Sequence, residues 1–158
     1  MAVKTIGIVM LFLTAFHYSR SHQKAEDLQC GILTELCSLF SYIQKNIDCF
    51  TKSLGEIGRE YTSPLLEEYG FYTIWKQHSL LHAIESMPCI PLQTRELLLQ
   101  YARSAGQGYK EEELHLCRYT HEHLQEMLTM QKEERNTKNR MYRTLPYLLV
   151  LSIVLLLY

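Results

Sequence analysis

Two stretches without a single charged residue, 5–16 (TIGIVMLFLTAF) and 145–158 (LPYLLVLSIVLLLY), stand at the two ends of the chain. Fifteen of the 16 basic residues and all 17 acidic ones lie between Arg20 and Arg143. As a helix, Leu148 to Leu157 is apolar on every face except at Ser152, so it has no polar side to turn toward water. At about 1.5 Å per residue, the 16 residues from Val3 to Tyr18 and the 14 of 145–158 reach roughly 21–24 Å, against about 30 Å of bilayer hydrocarbon. Snorkelling Lys and Arg, interfacial Tyr18, Tyr142 and Tyr147, and local thinning close that gap. A cleaved signal peptide is the rival reading of the first run, but FHYSRSHQK after Ala15 offers no small-x-small cleavage site. A buried terminal helix is the rival for the second. Residues 1–18 and 145–158 are therefore expected to be transmembrane segments, with 19–144 a helical domain between them.

Orientation follows from the flanking cations. Lys132, Arg135, Lys138, Arg140 and Arg143 precede the second run, while Arg20 and Lys24 follow the first. Arg20, Lys24, Arg140, Tyr142 and Arg143 are the expected membrane-boundary anchors. The positive-inside bias makes the central domain cytoplasmic, with membrane lipid as a partner of both ends.

The central segment shows helical periodicity throughout and no strand pattern. From Ala25 the apolar positions 25, 28, 32, 33, 36, 39, 40, 43, 47 and 50 step by threes and fours, which predicts an amphipathic helix to about Asp48. Ser53-Leu54-Gly55-Glu56 is a capping box that starts a short helix to about Tyr61. Ser63-Pro64 starts the next, ended by Gly70. One helix over Thr73–Ser86, closed by Pro88 and Pro91, and another over Thr94–Ala105, stopped at Gly106, follow. From Lys110 the spacing predicts helix to the membrane, with Leu114, Cys117, His121, Leu124 and Leu128 on one seam and Pro146 bending it near the bilayer. The expected fold is all-α: a bundle of about six helices whose long first and last members continue into membrane segments.

Catalytic chemistry finds no foothold in this pattern. His78, His82 and Glu85 could share one helix face, but Ser79 stands where a metalloprotease needs its general base. His121 falls on the apolar seam, where a hydrogen-bonded core histidine is expected. Five Cys at 30, 37, 49, 89 and 117 form no CxxC and cannot all pair within one chain, which favours a reducing compartment and small buried hydrophobes. Glu111-Glu112-Glu113 opens a helix, where negative charge complements the dipole. Gly106-Gln107-Gly108-Tyr109-Lys110 is too short for a phosphate loop. With net charge −1 there is no basic field for nucleic acid. No catalytic residue, cofactor site or metal site is expected.

Arg140-Met141-Tyr142-Arg143-Thr144-Leu145, leading into a leucine-rich tail, resembles the basic-Met-Tyr-Arg-x-Leu-Gly sequence of the stage III sporulation protein AB family. Tyr101-Ala102-Arg103-Ser104-Ala105-Gly106 is similar to that family's aromatic-Gly-x-x-Leu-Gly stop before its last long helix, and Trp75 and Ser53-Leu54 match two further positions. Ala102, Tyr109, Glu113 and Pro146 depart from the family's pattern.

The resemblance implies a non-enzymatic assembly subunit of the channel between mother cell and forespore, seated in the mother-cell membrane. Its helical domain would be similar to the cytoplasmic domains of the type II secretion and type IV pilus platform protein. It would serve as platform for a cytoplasmic secretion-type ATPase, stage III sporulation protein AA, and meet other channel subunits; a homo-oligomer is compatible with that role. A membrane-tethered helical regulator or sensor is the alternative, and a membrane metalloenzyme using His78, His82 and Glu85 a third. Interhelical tips far from the membrane, at Gly70–Tyr72, Pro88–Pro91 and Gly106–Lys110, are where a partner could reach the domain. Gly106, Tyr109, Lys110, Glu111 and Glu112 are the expected partner-binding residues.

Overall fold

Cap chemistry written into the chain divides its helices. The computed structural model describes residues 2–50, 52–87 and 90–157. Among them run seven helices and no strand: α1 (Ala2–Phe50), α2 (Leu54–Glu60), α3 (Pro64–Glu68), α4 (Phe71–Gln77), α5 (Leu80–Ser86), α6 (Leu92–Ser104) and α7 (Lys110–Leu157). The all-α class is as expected, with one helix more.

The capping box of α2 is formed in full. The Ser53 hydroxyl accepts from the Glu56 N–H, and the Glu56 carboxylate accepts from the Ser53 N–H at 2.9 Å. Pro64 occupies the first position of α3, as its missing N–H and fixed φ favour. Ser63 does not cap that helix; the Glu35 carboxylate of α1 does, accepting from the N–H groups of Leu65 and Leu66. Gly70 (φ +71°) lies in the left-handed region between α3 and α4, and Gly106 (φ +82°) does the same after α6.

The single helix expected over 73–86 is broken. It ends at His78 (φ −123°, ψ −90°), and Ser79 opens α5 as its N-cap, accepting from the His82 N–H. A serine in the middle of a periodic run supplied a local alternative to the helix ladder, and the chain took it.

The chain divides into two compact units, residues 29–130 and residues 1–28 with 131–158. In the first, the apolar stripe of α1 is buried from Cys30 onward, through Ile32, Leu36, Leu39, Phe40, Ile43 and Ile47. Each such aliphatic side chain contributes about 1.5–3 kcal/mol over its exposed state. Phe40 meets the Tyr101 ring edge-on at 4.8 Å, and the Cys117 thiol reaches the Phe40 carbonyl at 3.6 Å. Lys110 Nζ donates to the Asp48 carbonyl at 2.7 Å, so in this unit the start of α7 lies beside the end of α1 and the two run antiparallel. Beside them Phe71, Tyr72 and Trp75 form an aromatic cluster, with Phe71 and Tyr72 edge-on at 5.2 Å. Gly58 lets this cluster close: a Cβ there would stand 2.7 Å from the Trp75 ring. Arg95 ties α6 back to the α5–α6 connection by donating to the Met87 carbonyl at 2.6 Å.

In the second unit Arg135 pairs with Asp27, Lys138 with Glu134 at 2.8 Å, and the Arg20 guanidinium stands 6.0 Å from the Phe16 ring centre. Met10, Leu13, Phe16, Leu148, Leu151 and Leu155 are exposed. Among the described residues no helix is long and apolar enough to cross a membrane. The segments 1–18 and 145–158, expected to be transmembrane, are thus not shown as spans: their uncharged runs 5–16 and 145–158, of 12 and 14 residues, fall short of the roughly 20 apolar residues a bilayer needs.

Candidate functional site

The turn between α6 and α7 presents the partner-binding residues expected from sequence, all in unit 29–130. Gly106 turns the chain in its left-handed conformation, and the Gln107 side-chain amide closes the turn onto the Arg103 carbonyl at 2.8 Å. Glu112 caps α7, its carboxylate accepting from the Tyr109 N–H at 3.2 Å. Lys110 is held by Asp48 as described, and Glu111 points to solvent. Tyr109 is 83% exposed, the most exposed large apolar side chain among the described residues. A hollow of about 700 Å³ lies beside the turn, lined by Ser104, Gln107, Gly108, Glu111, Glu112 and Glu113 with His115 and Leu116.

A second concavity shares the end of α6 with the first. It is a groove of about 540 Å³ with an apolar floor from Leu54, Leu80, Leu81 and Ala102 and the cations Arg59, Lys76 and Arg103 on its rim. No carboxylate is among its described lining residues. Among the described residues no hydrogen bond or ion pair engages the Lys76 or Arg103 side chain, and Arg59 feels the through-space pull of Glu56. Nothing in the sequence marked this groove. Its three cations come from the last turns of α2, α4 and α6, where each reads locally as a partner for the helix dipole.

The other tips differ from the sequence expectation. Phe71 and Tyr72 are fully buried, which removes them as a contact surface, and Ile90 is 5% exposed; Pro88 and Cys89 lie outside the described residues. Of the membrane-boundary anchors, Arg20 and Lys24 are exposed, while the side chains of Arg140, Tyr142 and Arg143 lie outside the described ones.

The residues weighed for chemistry fall apart on the same grounds. His78 and His82 no longer share a helix; their ring centres are 5.7 Å apart, and His82 Nδ1 lies 2.9 Å from the Ser79 hydroxyl. Among the described residues no group of three His, Cys, Asp or Glu is placed to hold a metal ion. His121 is half-buried, with Nε2 at 3.3 Å from the Gln125 amide. Cys30, Cys37 and Cys117 are buried, whereas Cys49 is exposed and so is not the small buried hydrophobe expected of the cysteines. Burial pushes the Cys117 thiol up to about 12, so it stays protonated and a poor nucleophile. Burial likewise raises the Tyr72 and Tyr101 phenols well above their ordinary range.

No curated protein and no solved structure matches the chain. Residues 34–158, from the buried stripe of α1 to the last residue, match the family profile described as stage III sporulation protein AB. With well over half of its length matched, the chain belongs to the stage III sporulation protein AB family and has a sporulation-related role.

Proposed function

We propose that this protein is a non-enzymatic, membrane-anchored assembly subunit of a sporulation channel, acting as platform for a cytoplasmic secretion-type ATPase. The observation that carries the reading is the continuity of the two long helices. α1 extends unbroken from Ala2 to Phe50 and α7 from Lys110 to Leu157, so each joins an uncharged apolar end to the helical unit. A partner that displaces the helical unit pulls on both ends through hydrogen-bonded backbone. Membership of a family not known for enzymatic activity agrees with this role.

Lipid is the solvent that suits the ends. Their exposed Met, Leu and Phe side chains would be costly in water, and the hydroxyls of Thr14 and Ser152 each donate to a carbonyl four residues back. Runs this short embed in a bilayer that thins around them, with Arg20 and Lys24 at its cytoplasmic face. The α6–α7 turn, with Gly106, Tyr109, Lys110, Glu111 and Glu112, is the surface offered to the ATPase.

The full chain in mild detergent, immobilised and exposed to the purified ATPase, tests the reading. Retention is expected, together with about tenfold weaker retention of Tyr109→Ala, the order of effect of losing an interface aromatic. Absence of retention at high micromolar ATPase would refute it.

A further inference from the structure

We infer that the protein pairs with a second copy of itself, the α6–α7 turn of each copy seating in the basic-rimmed groove of the other. The two surfaces are opposite in character and share a border. Arg103 and Ala105 line the groove, while Ser104 between them lines the acidic hollow. A patch of one sign adjoining a patch of the other is self-complementary under a two-fold rotation: each negative surface then meets a positive one, twice per dimer.

The occupant fits the site in chemistry as well as in sign. The turn carries one strongly exposed aromatic, Tyr109, with Glu111 and Glu112 just after it. The groove supplies an apolar floor of leucines for a ring and a rim of cations without a lining carboxylate for acids. Tyrosine seated in such a pocket is a frequent anchor of protein interfaces. Pairing the rim cations with helix dipoles explains why each basic residue stands where it does, but leaves the groove's described lining without a carboxylate, Glu56 acting on Arg59 from outside it. Exposed ion pairs are individually weak, so the dimer forms at micromolar concentrations and is sensitive to salt. Self-pairing and ATPase binding use the same turn and so exclude each other at any one moment; sedimentation of the protein alone, with no ATPase present, reads the first without the second.

Charge reversal with complementation is the test, read by sedimentation equilibrium of the full chain in density-matched detergent. The natural sequence is expected to dimerise at low salt and to dissociate at least about tenfold more readily in 0.5 M salt. Lys76→Glu with Arg103→Glu should be monomeric alone, as should Glu111→Lys with Glu112→Lys. An equimolar mixture of the two should dimerise again, because each groove then faces a turn of opposite sign. Misfolding cannot produce that recovery. Tyr109→Ala, at an exposed site, should weaken the dimer about tenfold even if the reversed variants prove unstable. A monomer at 200 µM and low salt, a dimer indifferent to Tyr109→Ala, or well-folded reversed variants that fail to recover on mixing would each overturn the inference.

Discussion

The carboxylate of Glu35, in the middle of α1, receives the hydroxyl of Ser63, 28 residues further along the chain. The same carboxylate accepts from the Leu66 N–H at 2.9 Å, so a side chain of the longest helix caps one of five residues. A helix of one turn has almost no stability of its own, and this bond is what ties its start to the core. Glu35→Ala is expected to lower stability by about 2–3 kcal/mol, the sum of a lost cap and stranded N–H groups. Glu35→Gln, which keeps an acceptor, should cost about 1 kcal/mol. Thermal unfolding followed by circular dichroism measures both; equal melting of Glu35→Ala and the natural chain would sink the claim.

Gly58→Ala would bring a Cβ to 2.7 Å from the buried Trp75 ring. Alanine gains about 1 kcal/mol of helix propensity over glycine, but overpacking costs about 1–3 kcal/mol, so net destabilisation is expected. Trp75 is the chain's one tryptophan, and its emission should shift to the red as the ring is displaced. An unchanged spectrum with raised stability would contradict the contact.

Acid should weaken α2 selectively. Hydrogen bonds from Ser53 hold the Glu56 carboxyl below its ordinary value of 4.5. A lowered folded value means the contribution is complete above about 4.5 and lost as pH falls through the lower, folded value. Glu56→Gln should therefore be less stable than the natural chain at neutral pH and converge with it in acid. A gap that persists at pH 2 would rule out ionisation as its source.

Thiol labelling reads both burial and topology. Cys49 should react with maleimide in the folded chain, and Cys30, Cys37 and Cys117 only on unfolding. In a background with Cys49 and Cys89 both replaced by Ser, Gln107→Cys reports on the α6–α7 turn: an impermeant reagent should label it only after cells are permeabilised. Labelling in intact cells would reverse the orientation.

Legibility in the sequence followed the range of the interactions. The capping box at Ser53 and Glu56, Pro64 opening α3, and Gly106 ending α6 were readable because each is settled within a few residues. The buried stripe of α1 was readable because periodicity records burial. The break at His78-Ser79 was not, since serine suits both a helix face and a cap and only packing decides between them. The turn at Gly106–Glu112 could be named from loop chemistry, whereas the groove of Arg59, Lys76 and Arg103 exists only once three helix ends converge. Glu35 as a cap for α3 was invisible for the same reason.

The antiparallel meeting of α1 and α7 also sets a schedule for the nascent chain. Phe40 leaves the ribosome 77 residues before Cys117, the residue that contacts its carbonyl. At about 5–20 residues per second, that interval lasts roughly 4–15 seconds. The short helices α4, α5 and α6 touch one another in sequence and can associate as they emerge, but α7 completes its side of the core last. Until then part of the oily stripe from Ile32 to Ile47 lacks its final cover, so the chain is most prone to aggregate in the interval before Cys117 emerges.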